Sequence, residues 1–377
     1  MSDRSSRITS LDGVRGVAAF VVVLHHLSLV ARPELDGTTW AWLTQSPLTV
    51  LFAGTEAVLV FFALSGLVVA LPALRAGFSW LRYYPARLLR LYVPVIGALV
   101  LAALLILCFP RDPRTMPEES WMRDAQATTV TPLSFLQEAS LLRATYDLDN
   151  VLWSLRWELF FSLMLPLFVW LALRGRRHSI VLALLCATAT VAGRVFHVDP
   201  LVYYPVFLFG TVVAVNLDAL RDLADSPRWR RRWPVLGAVA VTLLVAHWLA
   251  RPLAPPETLG GDLLWGLSGV GAALIVVLAV TWPRFESALD RPAPHWLGRV
   301  SFSLYLVHVP VIATLGYLFG AERWWLTALV GLPLCLVVAE LFYRAVEQPS
   351  HRLARATGDR VVALADREAS RRTDATA

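Results

Sequence analysis

The chain has 377 residues, of which 57% are hydrophobic and only 16% are charged, and its mean hydropathy is +0.58. A soluble domain carries about 25% charged residues, so this composition excludes a typical cytosolic enzyme and indicates a protein that faces a bilayer. The net charge of +6 comes with 34 arginines and no lysine, which excludes Schiff-base and P-loop lysine chemistry and does not require a nucleic-acid partner. Cys108, Cys186 and Cys335 lie in apolar runs without metal-ligand spacing, so we predict neither a disulfide framework nor a metal site.

A helix that spans a bilayer needs about 20 mostly apolar residues. Ten segments meet this requirement, near residues 14–33, 50–74, 91–109, 151–173, 179–196, 200–217, 233–250, 262–282, 300–320 and 323–345. We therefore predict an all-α, polytopic integral membrane protein with about ten transmembrane helices. Residues 1–352 are predicted to form the membrane-embedded domain, and the charged residues 353–377 a disordered cytoplasmic tail.

The distribution of arginine predicts the orientation of these segments. An even number of spans puts both termini on one side, and the loops and termini of that side hold 24 arginines against eight on the other. The arginine-rich side, with both termini, is therefore predicted to be cytoplasmic in a multi-pass cell-membrane protein. The longest loop, residues 110–150, would lie outside, with an amphipathic stretch from Pro132 to Leu142 on the membrane surface.

The first segment carries polar residues at its cytoplasmic mouth, Asp12 and Arg15, and His25 and His26 deep inside. Arg15 and His26 are eleven residues apart, close to a whole number of turns, so they share one helical face with roughly 16 Å between them along the axis. This geometry suits an elongated ligand whose anionic end meets Arg15 while its reactive end reaches His26. The alternative is a snorkelling arginine and a packed histidine.

Two further groups follow in chain order. Glu56 lies near the outer end of the second segment and Ser65-Gly66 nearer the cytoplasm, where small residues favour close helix packing. Arg87 and Arg90 are three residues apart and share a helical face at the cytoplasmic interface. Their role is either a positive-inside anchor or a phosphate-binding site.

The fourth and ninth segments also carry ionisable groups. Glu158 lies about two turns below the external surface, where a carboxylate is functional by default and a structural ion pair is the main alternative. Tyr305 and His308 share one helical face with Ser301, and the depth of His308 is comparable to that of His26.

Taken together and in this order, these segments resemble the integral membrane acyltransferases called acyltransferase family 3, over residues 8–353. The motifs that carry the resemblance are Leu11-Asp12-Gly13-x-Arg15-Gly16 with His26, Phe61-Phe62-x-Leu64-Ser65-Gly66, Arg87-x-x-Arg90, Trp153-Ser154-Leu155-x-x-Glu158, Ser303-x-Tyr305-Leu306-x-His308-x-Pro310 and Glu347-x-Pro349. The sequence departs mildly from the family pattern at Ala57, Leu67 and Phe302.

The resemblance implies a ten-helix enzyme that takes an acyl group, often acetyl, from cytoplasmic acyl-CoA and transfers it to a hydroxyl. The acceptors of such families are usually saccharides, in cell-surface glycans, lipid-linked saccharides or glycosylated metabolites. No metal cofactor is implied. The alternatives are a transporter or flippase of a lipid-linked or glycosylated substrate and, from Asp147 and Asp149 in an outer loop, a membrane glycosyltransferase.

On this hypothesis the three catalytic residues are His26, Arg15 and Glu158. His26 is the base that activates the acceptor hydroxyl, and Glu158 orients that hydroxyl or the imidazole. The predicted substrate-binding residues are Arg87, Arg90, Tyr305, His308, Ser65 and Asp12. Among these the arginines would hold the phosphates of the donor together with Arg15, and Tyr305 with His308 would donate hydrogen bonds near the tetrahedral centre.

Overall fold

The computed structural model of the protein describes residues 8–143 and 146–376. The N-terminal residues 1–7, which were predicted to be cytoplasmic, lie outside the described residues, as do 144, 145 and the final residue of the tail. Throughout the described ranges the regular structure is helical, and no strand occurs in them. The prediction of an all-α polytopic membrane protein is confirmed.

Each of the ten predicted segments corresponds to a helix or to a bent pair of helices. They are α1 (Thr9–Ala31), α3 (Gly54–Ala73), α4 (Trp80–Cys108), α7 (Leu152–Leu163) with α8 (Leu165–Arg174), α9 (Ser179–Val195), α10 (Asp199–Val215) with α11 (Leu217–Ala224), α13 (Trp233–Leu249), α14 (Leu259–Thr281), α16 (Pro292–Phe319) and α17 (Trp324–Phe342). In the described ranges seven helices are long and apolar enough to cross a membrane, or nine if each bent pair is one span. The remaining segment, α13, is a shorter apolar helix of 17 residues.

Five shorter helices of the described ranges lie between the spans, and a long helix follows the last span. The shorter helices are α2 (Gly37–Thr44), α5 (Trp121–Asp124), α6 (Pro132–Ala139), α12 (Pro227–Arg230) and α15 (Pro283–Leu289), and the long C-terminal helix is α18 (Gln348–Thr376). Helices α5 and α6 belong to the segment between α4 and α7, which we call the long loop (residues 109–151). The predicted amphipathic helix of this loop is present as α6.

The two bent pairs have local causes. Helix α7 meets α8 at an angle of 65°, and Pro166 in the first turn of α8 has no N–H to continue the hydrogen-bond ladder of α7. Helix α10 meets α11 at 69° next to Asn216, whose side chain donates to the carbonyl of Val212 at 2.8 Å. Both bends therefore coincide with a disturbance of the regular helical hydrogen bonds. Pro166 lacks the N–H donor, and the side chain of Asn216 bonds a carbonyl of its own helix.

Helix α4 begins eleven residues earlier than the predicted third segment, which started near residue 91. Ser79 caps its first turn by accepting a hydrogen bond from the backbone N–H of Arg82 at 3.3 Å. As a result Arg87 and Arg90, which were predicted to share a helical face, lie on the same continuous helix as the third predicted segment. The apolar stems of these two side chains can pack against neighbouring helices while their guanidinium groups extend away from that apolar surface.

The C-terminal region differs from the prediction. The helix does not end near residue 345, where the tenth predicted segment stops, because a π-helical turn, Tyr343–Glu347, leads directly into α18. The described part of the predicted disordered tail continues this helix. Ala354 is fully buried, and Arg82 and Asp359 form an ion pair at 2.6 Å, so the first half of α18 is fixed against α4.

Helix α1 is central to the bundle, because it packs against both α16 and α3. An ideal Cβ on Gly16 would lie 2.4 Å from the backbone nitrogen of Gly298, and one on Gly298 would lie 2.1 Å from the carbonyl oxygen of Asp12. The backbones of α1 and α16 are therefore in direct contact near their first turns, as small residues permit. We call one end of the bundle the arginine-rich end. It is formed by the first turns of α1, α4, α16 and α18.

Candidate active site

The close crossing of α1 and α16 brings His26 and His308 together in the interior. His26 is 8% exposed and His308 is fully buried. Nδ1 of His26 lies 3.1 Å from Nε2 of His308, and the two ring centroids are 4.9 Å apart. The sequence predicted comparable depths for these histidines, and the structure places them in hydrogen-bond contact.

Backbone carbonyls determine which nitrogen of each ring carries a proton. Nδ1 of His308 lies 3.0 Å from the carbonyl oxygen of Leu304, which only accepts, so this nitrogen is the donor and Nε2 carries the lone pair. Nδ1 of His26 lies 3.0 Å from the carbonyl oxygen of Val22 and donates both to it and to Nε2 of His308. In the neutral pair the lone pair of His26 is therefore on Nε2. We infer this assignment from the hydrogen-bond pattern.

The neighbouring histidine has a different environment. Nδ1 of His25 donates to the carbonyl of Phe52 at 2.8 Å, and the ring of His25 stands edge-on to that of His26 with centroids 5.3 Å apart. A Cβ on Gly54 would lie 2.4 Å from Cγ of His25, so the small residue makes room for this ring. His25 is thus held against the N-terminal region of α3.

The long loop covers the histidine pair. The ring of Trp121, in α5, lies 5.0 Å from the ring of His26. The hydroxyl of Tyr317 donates to the carbonyl of Met122 at 2.8 Å, which ties α5 to α16. Sequence reasoning did not identify Trp121, because a four-residue helix in a loop has no periodicity to detect.

Tyr305 lies one turn before His308 on α16, with ring centroids 6.0 Å apart. Its hydroxyl is 2.7 Å from Oγ of Ser154 and donates to the carbonyl of Val151 at 3.3 Å. The predicted shared face of Tyr305 and His308 is therefore next to the start of α7, the helix that carries the Trp-Ser-Leu motif. Ser301, one turn earlier, instead donates to its own helix at Gly298.

Glu158 does not contact either histidine. Its carboxylate forms an ion pair with Arg87 and accepts a hydrogen bond from Ser65 at 2.6 Å. Nε of Arg87 also donates to Oγ of Ser162 at 2.9 Å. Ser65, Arg87 and Glu158, which were predicted separately, are therefore in contact. Ser162, which was not predicted, also belongs to this group.

The other predicted residues lie at the arginine-rich end. Arg15 forms an ion pair with Asp12 at 2.6 Å, and its buried Nε has no hydrogen-bond partner among the described residues. Arg15 and Arg90 are both within electrostatic reach of Arg87 and of Glu347. These cationic groups can act together on an anionic ligand.

Glu347, which the sequence indicated only as part of the Glu347-x-Pro349 motif, is a second anchor. Its Oε2 accepts hydrogen bonds from the backbone N–H of Ser303 at 3.1 Å and from the Ser303 hydroxyl at 2.5 Å. The carboxylate therefore fixes α16 one turn and a half before His308. Within the described ranges, no group of three or more His, Cys, Asp or Glu side chains is placed to hold a metal ion.

A cavity of about 530 Å³ lies at the opposite end of the bundle, beyond the histidines. Glu34, Arg114, Phe319 and Arg323 are among its lining residues, which come from the ends of α1 and α16 and from the long loop. The two helices that carry the histidine pair thus also border an opening at the end opposite Arg15, Arg87 and Arg90.

The fold and this site define a polytopic membrane protein with a hydrogen-bonded pair of histidines in its interior. The family model of the acyltransferase domain, acyltransferase family 3, matches residues 8–344. The chain therefore belongs to this family and is an acyltransferase. This confirms the resemblance and decides between the enzyme and the transporter or flippase alternative.

Two relatives support the assignment. The chain is 27% identical over 383 residues to the acyltransferase MdmB of Streptomyces mycarofaciens, covering 94% of each chain. It is 23% identical over 427 residues to the O-acetyltransferase PaAT-1 of Phomopsis amygdali, covering 92% of this chain and 83% of that protein. No solved structure matches the chain significantly.

Proposed function

We propose that the protein transfers an acyl group, acetyl in the first instance, from acyl-CoA to a hydroxyl of a saccharide or a glycosylated metabolite. The observation that carries this proposal is the hydrogen bond between His26 and His308, because it leaves a lone pair on Nε2 of His26. The name of the O-acetyltransferase relative supports oxygen as the acceptor atom.

In the proposed reaction Nε2 of His26 accepts the proton of the acceptor hydroxyl as its oxygen attacks the thioester carbonyl carbon. When the tetrahedral intermediate collapses, the carbon–sulfur bond breaks and the same proton passes from Nε2 to the departing thiolate. Nδ1–H of His26 remains bonded to His308 throughout, so His308 orients the imidazole and stabilises its positive charge. His308 is thus a positioning residue.

The arginine-rich end suits the phosphates of the donor. Arg15, Arg87 and Arg90 supply cationic groups there, and the unpartnered Nε of Arg15 retains capacity to donate a hydrogen bond. Arg87 is already paired with Glu158, so Arg15 and Arg90 are the main candidates for direct phosphate contacts. The pantetheine arm would then run along the face of α1 that leads from Arg15 to His26.

Tyr305 is the candidate donor to the developing oxyanion. Its hydroxyl and that of Ser154 share one hydrogen bond next to His308, and a small rotation turns the Tyr305 proton away from the Val151 carbonyl. A preorganised donor of this kind stabilises the charge that develops in the transition state. Removal of this hydroxyl is therefore expected to lower kcat more than it raises the KM for acyl-CoA or the KM for the acceptor.

The test is a transfer assay with purified protein, radiolabelled acetyl-CoA and a panel of glycosides. Covalent label on a glycoside, dependent on the protein, supports the proposal. Release of free acetate only, or no consumption of acetyl-CoA with any glycoside, contradicts it. Malonyl-CoA and longer acyl-CoA compounds in the same assay identify the acyl group.

A further inference from the structure

Two carboxylates of the long loop are buried, and their environments differ. Glu138, 4% exposed, accepts hydrogen bonds from the backbone N–H groups of Asp147 at 2.9 Å, Leu148 at 2.8 Å and Asp149 at 3.2 Å. Burial raises the pKa of the Glu138 carboxyl. Its three hydrogen bonds nevertheless give it a structural role, since they shape the segment that leads into α7.

Asp149 has no such set of partners. It is fully buried, and neither carboxylate oxygen has a hydrogen-bond partner among the described residues. The backbone N–H of Val151 lies near the carboxyl without meeting hydrogen-bond geometry. A buried polar group without a partner costs stability and needs an explanation, such as a ligand that it binds.

The surroundings of Asp149 make it a hydrogen-bonding group for a neutral ligand. Burial raises the pKa of the Asp149 carboxyl well above its usual range, and the nearby Glu138 acts in the same direction. The neutral carboxylic acid is therefore favoured, and it can both donate and accept a hydrogen bond. A hydroxyl group has the same two capacities and is its natural partner.

Asp149 is close to the predicted reaction centre. It is within electrostatic reach of Tyr305, and Val151, two residues later, accepts the hydrogen bond of the Tyr305 hydroxyl. Glu138 holds the backbone of this segment, so the position of Asp149 next to the Tyr305 face of α16 is fixed. That same face carries His308.

The long-loop end also offers an approach for the acceptor. Besides the cavity of about 530 Å³, a much smaller one, lined by Val30, Met122 and Gly316 among others, lies in the same region and shares Met116 and Pro117 with it. Val30 is about one helical turn beyond His26. An acceptor that arrives from this end meets the long loop before it reaches the imidazole.

We propose that Asp149 binds a hydroxyl of a polyhydroxylated acceptor, such as a saccharide, and so positions the neighbouring hydroxyl for His26. This inference rests on the proposed O-acyltransferase function. It assigns the acceptor, rather than the acyl-CoA, to the side of the site formed by the long loop. The substrate hydroxyl then supplies the hydrogen-bond partner that the Asp149 carboxyl lacks among the described residues.

The test compares Asp149→Leu, which is of similar size and cannot form a hydrogen bond, with wild type on the alkyl glycoside that wild type acetylates fastest in a panel of octyl glycosides. We expect the KM for the glycoside to rise about tenfold, the effect of losing one buried hydrogen bond, and the KM for acetyl-CoA to stay within about twofold. Asp147→Leu is the matched control, because Asp147 is exposed, and should resemble wild type.

Other outcomes are equally decisive. An unchanged glycoside KM, or an equal change in both KM values, overturns the proposal. Glu138→Gln should lower thermal stability with little effect on the glycoside KM of the folded protein, so the same pattern in Asp149→Leu would assign Asp149 a structural role. If Asp149→Leu does not fold, Asp149→Ala replaces it, and failure of both to fold also overturns the proposal. Absence of transfer by wild type contradicts the proposed function itself.

Discussion

Arg87 of α4 and Glu158 of α7 form an ion pair within the helical bundle, and Ser65 of α3 donates a hydrogen bond to the same carboxylate. Three helices therefore meet at one charged group. Both side chains are largely buried, so removal of either leaves an uncompensated charge in a poorly solvated place. The pair gives the largely buried carboxylate of α7 a partner of opposite charge on α4.

We predict that Arg87→Leu and Glu158→Gln each lower the free energy of unfolding by about 3 kcal/mol, because each leaves its partner buried and unpaired. The double variant should lose clearly less than the sum of the two. Thermal or denaturant unfolding of the detergent-solubilised variants in a double-mutant cycle measures this coupling. Strict additivity would contradict the pairing.

The second prediction concerns His308 as a positioning residue. His308→Ala removes the group that accepts from Nδ1–H of His26, so kcat should fall by about ten- to a hundredfold while both KM values stay nearly constant. His308→Gln should recover part of kcat, because its amide oxygen can accept the same hydrogen bond. Steady-state kinetics of the two variants test this, and a change confined to the KM for acetyl-CoA would contradict it.

The third prediction concerns the contact that brings the histidines together. Gly298→Ala places a Cβ 2.1 Å from the carbonyl oxygen of Asp12, so α1 and α16 must separate. Transfer activity should fall more than tenfold, since misplacement of catalytic groups by about 1 Å can cost a hundredfold. Gly37→Ala is the control, because nothing lies within 4 Å of a Cβ at that position. Equal activity of the two variants would contradict the role of the crossing.

The sequence predicted much of this architecture, because apolar length alone defines membrane helices. Helical periodicity also predicted that Arg15 and His26 share a face and that Tyr305 and His308 share another. It could not predict that His26 contacts His308. Periodicity relates residues of one helix, whereas contact between two helices depends on their crossing, here at Gly16 and Gly298.

The role of Glu158 shows a different limit. Its depth was estimated from a segment boundary and pointed to the outer side, and Arg87 was placed at the cytoplasmic interface. Helix α4 begins at Trp80, and α7 bends into α8 after Leu163, so the two side chains meet. Small errors in helix ends therefore change which charges become partners. The buried polar groups of the long loop had no periodic pattern at all.

The fourth prediction uses the raised pKa of Asp149. In the unfolded chain this carboxyl ionises near its usual pKa of about 3.9, whereas in the folded protein burial keeps it neutral to higher pH. Between these two pKa values unfolding releases a proton, so the contribution of Asp149 to stability decreases as pH rises. Asp149→Asn cannot release this proton.

The stability of Asp149→Asn relative to wild type should therefore increase as pH rises above about 4 towards the raised pKa of the folded protein, because only wild type carries the cost of ionising Asp149. Thermal unfolding of both proteins at several pH values measures this difference, from which the contributions of all other groups cancel. A difference that is constant with pH would show that the Asp149 carboxyl titrates alike in the folded and unfolded states.

The acid–base role of His26 is tested most directly by the rate of acetyl transfer from radiolabelled acetyl-CoA to a glycoside by His26→Ala and His25→Ala. The two substitutions remove adjacent imidazoles of α1, of which His26 contacts His308 and His25 instead bonds the carbonyl of Phe52. We predict that His26→Ala lowers kcat at least about a hundredfold while His25→Ala stays within about tenfold of wild type, both remaining folded in detergent. A folded His26→Ala variant that transfers acetyl at the wild-type rate would contradict the proposed mechanism.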